Sequence, residues 1–213
     1  MYALISREKT QLVPGMVVRM PGSWQDYQTL CNSRGDSSLP RIKYRSREIL
    51  LMSPLPKHGR DANILADVVK VLLDFQARNY EAFTPITMEL PEEGGIEPDY
   101  CFYIDNWQAV VGRDQLQWGT DPSPDLVIEI DVTTYTDAND YFLYRVPEVW
   151  LLKRNQLSIY SSQESEYKMQ ATSRYFPEVD LQSLVTECLK AASERGTGVV
   201  IRELRQRLST NAG

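Results

Sequence analysis

Between His58 and Arg78, apolar side chains return every third or fourth residue, and no proline interrupts them. Ala62, Leu65, Ala66, Val69, Leu72, Leu73 and Gln76 share that spacing, which lays them along one stripe of a helix. A stripe of this kind is buried against another layer, and extended runs on both sides of it supply one. Before it, Arg41-Ile-Lys-Tyr-Arg45 and Glu48-Ile-Leu-Leu-Met-Ser53 read as a hairpin across Ser46-Arg47, ended by Pro54 and Pro56. After it, Ala82 to Leu90, Glu97 to Ile104, Pro124 to Val132, Glu148 to Lys153 and Leu157 to Tyr160 read as extended. Ser23 caps a short helix to about Leu30, and Asn32 to Pro40 is turn-rich. Asp137 to Tyr144 reads as helical, Asp180 caps a helix to Ala192, and Val199 to Leu208 forms the last one. The order predicts an α/β (α+β) fold, a central mixed sheet flanked by helices. It predicts a single domain over residues 1–213, with a C-terminal helical extension from about residue 180.

Composition narrows the function classes. With 42% hydrophobic and 24% charged residues the chain reads as an ordinary globular protein. No apolar run approaches the roughly 20 residues of a membrane span, and the first residues lack a signal-peptide core, so no membrane partner and a cytoplasmic location are expected. Cys31, Cys101 and Cys188 stand far apart with no CxxC pair, which points to buried thiols rather than disulfides or zinc. The net charge of −6 counts against strong unaided affinity for DNA, because phosphate contacts need Lys and Arg. It does not exclude a nuclease whose acids hold a metal. There is no P-loop and no GxGxxG, so no nucleotide cofactor is expected.

Pro124-Asp-Leu-Val-Ile-Glu-Ile-Asp131 carries the chemistry. Alternation along a strand puts Asp125, Val127, Glu129 and Asp131 on one face, with Leu126, Ile128 and Ile130 on the other. Neighbouring acids on so apolar a strand repel each other and resist desolvation, a cost that a divalent cation offsets. The plainer reading is an edge strand with solvated acids. His58, the only histidine, reads by itself as a helix-start cap or surface residue rather than a catalyst. Arg41, Lys43, Arg45 and Arg47 either meet phosphate or simply solvate an outer strand face. Arg202, Arg205 and Arg207 read as a solvated or oligomer-facing helix, and Glu48 as a surface glutamate.

Five segments in order resemble the restriction-endonuclease-like family of the PD-(D/E)XK nuclease superfamily. They are the hairpin through Pro54; His58 at the helix start; Glu97-Pro-Asp-Tyr-Cys-Phe-Tyr103; Pro124 to Asp131; and Val146-Pro-Glu-Val-Trp150. The resemblance implies a metal-dependent DNA endonuclease hydrolysing phosphodiester bonds, with Mg²⁺ or Mn²⁺ held by Asp99, Glu129 and the Ile130 carbonyl. It gives His58 a functional role and puts Asp131 where the wider superfamily carries lysine. In this family the lysine usually comes from the next helix instead. Here that stretch has none: Asp137 or Asn139 falls at its place, and Arg145 replaces the usual glycine. Asp or Asn cannot stabilise phosphorane charge, and Arg145 is a poor geometric substitute. Impaired cleavage is therefore expected. The alternative is a catalytically inactive nuclease-derived binding or assembly protein. A homodimer through the hairpin and terminal helices is the expected assembly.

Overall fold

A computed structural model describes residues 12–35, 37, 39–84, 86–131 and 136–211. In chain order its elements begin with β1 (Val17–Pro21), α1 (Trp24–Arg34), β2 (Arg41–Arg45), β3 (Glu48–Met52) and α2 (Pro56–Phe75). The strands β4 (Glu81–Phe83), β5 (Met88–Leu90), β6 (Gly94–Ile96), β7 (Tyr100–Tyr103) and β8 (Leu126–Asp131) follow. A 3-10 helix (Ala138–Tyr144) leads to β9 (Glu148–Lys153), β10 (Gln156–Ser162), β11 (Tyr167–Gln170), α3 (Leu181–Arg195) and α4 (Thr197–Asn211). The architecture is α+β, as the order of elements predicted. The described residues fall into two compact units, one of residues up to 56 with 86–97, the other of 57–84 and 98 onward.

The first unit is an antiparallel sheet in the order β1-β3-β2-β6-β5. Ser46 and Arg47 both take positive φ, 50° and 64°, the twist that lets a two-residue turn join β2 to β3. Ile42 and Tyr44 point inward, and with Ile49, Leu51 and Tyr27 of α1 they form the core. Ser23 and Asp26 cap each other's backbone amides at the start of α1, which runs on to Arg34, into the stretch expected as loop. Gly95 has no side chain for a reason: a Cβ there would strike the Tyr27 ring.

The second unit is a sheet in the order β11-β10-β9-β8-β7-β4, antiparallel except for the parallel pair β8–β9. It is the expected mixed sheet. The α2 stripe packs on Leu126, Ile128 and Ile130 of β8 and Trp150 and Leu152 of β9, and α3 and α4 complete this core. At roughly 1.5–3 kcal/mol per buried large apolar side chain, that cluster is the main stabilising term. Two local expectations need correcting, and two details are new. The extended run Ala82 to Leu90 is two strands in different sheets, because β4 pairs with β7 and β5 with β6. The helix expected before β9 is present as a 3-10 helix, closed by Arg145 in the left-handed region. The strand β11 was not foreseen. Finally β8 is central and buried along its whole length, so its acids are not those of a solvated edge strand. Cys101 and Cys188 are buried and Cys31 half-buried, all as free thiols. Among the described residues no helix is long and apolar enough to cross a membrane.

Candidate functional site

The ladder between β7 and β8 ends at Tyr100 opposite Ile128. Continued one step, the same register would set Asp99 opposite Glu129. There the backbone stops pairing with backbone. The Asp99 carboxylate takes the next amide instead, accepting from Ile130 N–H through Oδ2 at 2.7 Å. Its other oxygen, Oδ1, lies 2.7 Å from His58 Nε2. Asp99 is only 1% exposed. Its backbone is also fixed, since Thr84 Oγ1 donates to the Asp99 carbonyl at 2.7 Å. Two charge-assisted hydrogen bonds of this kind hold a buried carboxylate in one orientation. His58 sits in the first turn of α2 and is buried, so it is neither a cap nor a surface residue. Its Nδ1 has no hydrogen-bond partner among the described residues. Ile130 enters the site through its backbone, while its side chain lies in the core.

Glu129 is 7% exposed, and the buried phenol of Tyr141 donates to its Oε1. Burial pushes the Tyr141 phenol well above its ordinary pKa; the negative charge of Glu129 adds to this, their hydrogen bond more, and the charge of Asp99 more again. One hydroxyl thus senses both acids. Tyr141 was not identified from the sequence. Its signal is the 3-10 helix that follows β8 and turns an aromatic back onto the acid-bearing strand.

Asp131 continues the face of Glu129 two residues along β8. Its carboxylate is wholly buried, and Lys153 Nζ lies 3.5 Å from Oδ2. Lys153 was missed as well. The parallel register that sets it beside Asp131 is the signal that would have found it.

The residues standing at the missing lysine's place have structural tasks. Asp137 caps the 3-10 helix by accepting from Asn139 N–H at 2.9 Å, and Asn139 Oδ1 accepts from Tyr167 N–H at 3.0 Å. Arg145 is exposed at the left-handed end of that helix, the conformation that makes glycine usual there. The motif residues Asp125 and Glu148 are structural too. Asp125 Oδ2 accepts from the amides of Ile104 at 2.7 Å, Asp105 at 2.9 Å and Asn106 at 3.3 Å. Glu148 accepts from Trp150 Nε1 at 2.7 Å, Ser173 Oγ at 2.6 Å and Arg174 N–H at 2.8 Å. Glu48 is paired with Arg19 on the surface of the first unit. Among the described residues no group of three or more His, Cys, Asp or Glu side chains is arranged to hold a metal ion.

A crystal structure of a putative nuclease belonging to DUF820, from Anabaena variabilis, is similar at 17% identity, covering 79% of this chain and 99% of that one, with a TM-score of 0.49. No curated protein matches. A family model described as Uma2, putative restriction endonuclease, matches residues 24–192, which include His58, Asp99, Glu129, Asp131, Tyr141 and Lys153. On that match the chain belongs to the Uma2 family, putative restriction endonuclease.

Proposed function

We propose that this nuclease-family chain is a divalent-metal-dependent DNA endonuclease whose metal is held by Asp99, Glu129 and the Ile130 carbonyl. What supports the reading is that Asp99 accepts from the amide of Ile130, the residue after Glu129, while the Tyr141 phenol that donates to Glu129 also senses the charge of Asp99. The donor set fits a hard cation: it is all oxygen, and Mg²⁺ uses one or two carboxylates and leaves its other positions to water and phosphate. Bound there, such an ion activates water and neutralises phosphate charge. The chain's own residues do the rest. His58 and the Ile130 amide hold Asp99 in one orientation. Tyr141 holds Glu129 by donating its phenol to Oε1. The test is nicking of supercoiled plasmid with Mg²⁺ or Mn²⁺. Wild type should cleave, and Asp99→Asn or Glu129→Gln should lose at least about 10³-fold, since each removes charge aimed at the metal. Intact plasmid with wild type defeats the reading.

A second reading, an inactive nuclease-derived binding or assembly protein, is favoured by one observation. Both Asp99 oxygens and one Glu129 oxygen already have protein partners. Calorimetry that finds no Mn²⁺ binding, beside intact plasmid, selects it.

A further inference from the structure

The metal reading leaves one buried acid without a task. Asp131 shares a strand face with Glu129, yet nothing above requires a carboxylate there. Its neighbour explains it. β8 and β9 run parallel in register, with Glu129 beside Leu151 and Asp131 beside Lys153. Residues paired in this way point to the same side of a sheet. The opposite side of both strands is core: Ile130 and Leu152 lie within the apolar cluster. Lys153 therefore extends over the face that carries Glu129.

The pair is lopsided. The Asp131 side chain has no exposure, while Lys153 is 39% exposed. Burying an ion pair stabilises no better than an apolar pair of the same volume. What an apolar pair cannot provide is an ammonium tethered on one side and open on the other. Its position is also constrained. With a rise of roughly 3.3 Å per residue and strands roughly 4.8 Å apart, the Lys153 Cα stands about 8 Å from that of Glu129. A lysine side chain spans most of that interval.

We propose that Lys153 is the cation that meets the scissile phosphate, a catalytic residue supplied by β9, and that Asp131 is its positioning residue on β8. The inference rests on the endonuclease reading. Charge develops on the phosphate oxygens during transfer, and a fixed ammonium beside the acids stabilises it. Two other cations are placed differently. Lys57 pairs with Asp61 and donates to Asn155 at 3.1 Å, and Arg145 ends the 3-10 helix from an exposed position.

The experiment compares wild type, Asp99→Asn, Lys153→Ala, Lys153→Arg and the double variant Asp131→Asn with Lys153→Ala. The readouts are plasmid nicking with Mn²⁺, Mn²⁺ affinity by calorimetry, and affinity for a labelled DNA duplex in Ca²⁺. Lys153→Ala should cut nicking about 10²–10³-fold. It should leave Mn²⁺ affinity within about twofold and weaken duplex binding about tenfold, as loss of one phosphate contact does. Lys153→Arg should recover part of the rate. The double variant removes the buried charge along with its counter-charge. It should therefore fold well and stay slow. A double variant that nicks like wild type shows that Lys153 only offsets Asp131, and overturns the proposal. Near-wild-type nicking by Lys153→Ala, with Asp99→Asn dead, overturns it while sparing the endonuclease reading. A wild type as inert as Asp99→Asn overturns the endonuclease reading and this inference together.

Discussion

Glu48 opens β3 and Glu148 opens β9, each at the first position of its strand and each followed by an apolar run. The first is 46% exposed and pairs with Arg19, itself largely in solvent. The second is wholly buried and satisfied by an indole, a hydroxyl and a backbone amide. The same residue type at the same strand position is thus ornament in one sheet and structure in the other. The cause is what surrounds the strand. β3 lies one place from the edge of its sheet, with Arg45 of β2 and Pro21 of β1 beside Glu48. β9 lies between β8 and β10, with Ser173 and Arg174 of the following chain folded over its start.

Removing each carboxylate is the sharpest way to break this comparison. Glu148→Ala strands the three donors away from water and should cost about 3–5 kcal/mol. Glu48→Ala should cost under about 1 kcal/mol, because exposed ion pairs contribute little. Urea denaturation midpoints measure both, and equal losses would refute the distinction.

Buried phenols extend the comparison to pH. Burial raises the pKa of Tyr103, Tyr141, Tyr167 and Tyr175 in the second unit and of Tyr27 in the first. Below about pH 10 these groups are protonated both folded and unfolded, and the fold loses nothing. Above it, the unfolded chain releases protons that the folded chain keeps, so stability falls as pH rises. Tyr103 has no hydrogen-bond partner for its hydroxyl among the described residues. Tyr103→Phe should therefore gain about 1 kcal/mol at pH 8 and decline less between pH 9 and 11. An unchanged alkaline slope in urea melts would count against it.

The smallest effect expected is at Arg145, where φ is 54°. Arg145→Gly should stabilise by up to about 1 kcal/mol, as the left-handed cost disappears while unfolded-state entropy rises. A lower melting temperature for this variant would show that the guanidinium has a task of its own.

Much of this molecule is legible in its residues. The α2 stripe, the β2–β3 hairpin and the apolar β8 follow from periodicity, and Ser23 and Asp180 announce their helices. Asp99 and Glu129 were singled out by the family resemblance, and alternation correctly set the core face of β8 apart from its acid face. What alternation lacks is depth. It says which way Glu129 points but not that the strand is central, so solvated acids remained the plainer reading. The helix over Asp137 to Tyr144 was legible, but not its 3-10 winding, because seven residues with a good cap do not say which kind of helix they form. Lys153 escaped because a motif is read along one strand, whereas its partner lies on the next.

The parallel pairing of β8 and β9 carries a consequence beyond this chain. When two in-register strands share a face, a positive and a negative side chain can exchange hosts and leave the charges almost where they were. A consensus written for one strand then records a loss where only the address has changed. Inventories of missing catalytic groups gain from reading sideways across the ladder before declaring an enzyme dead.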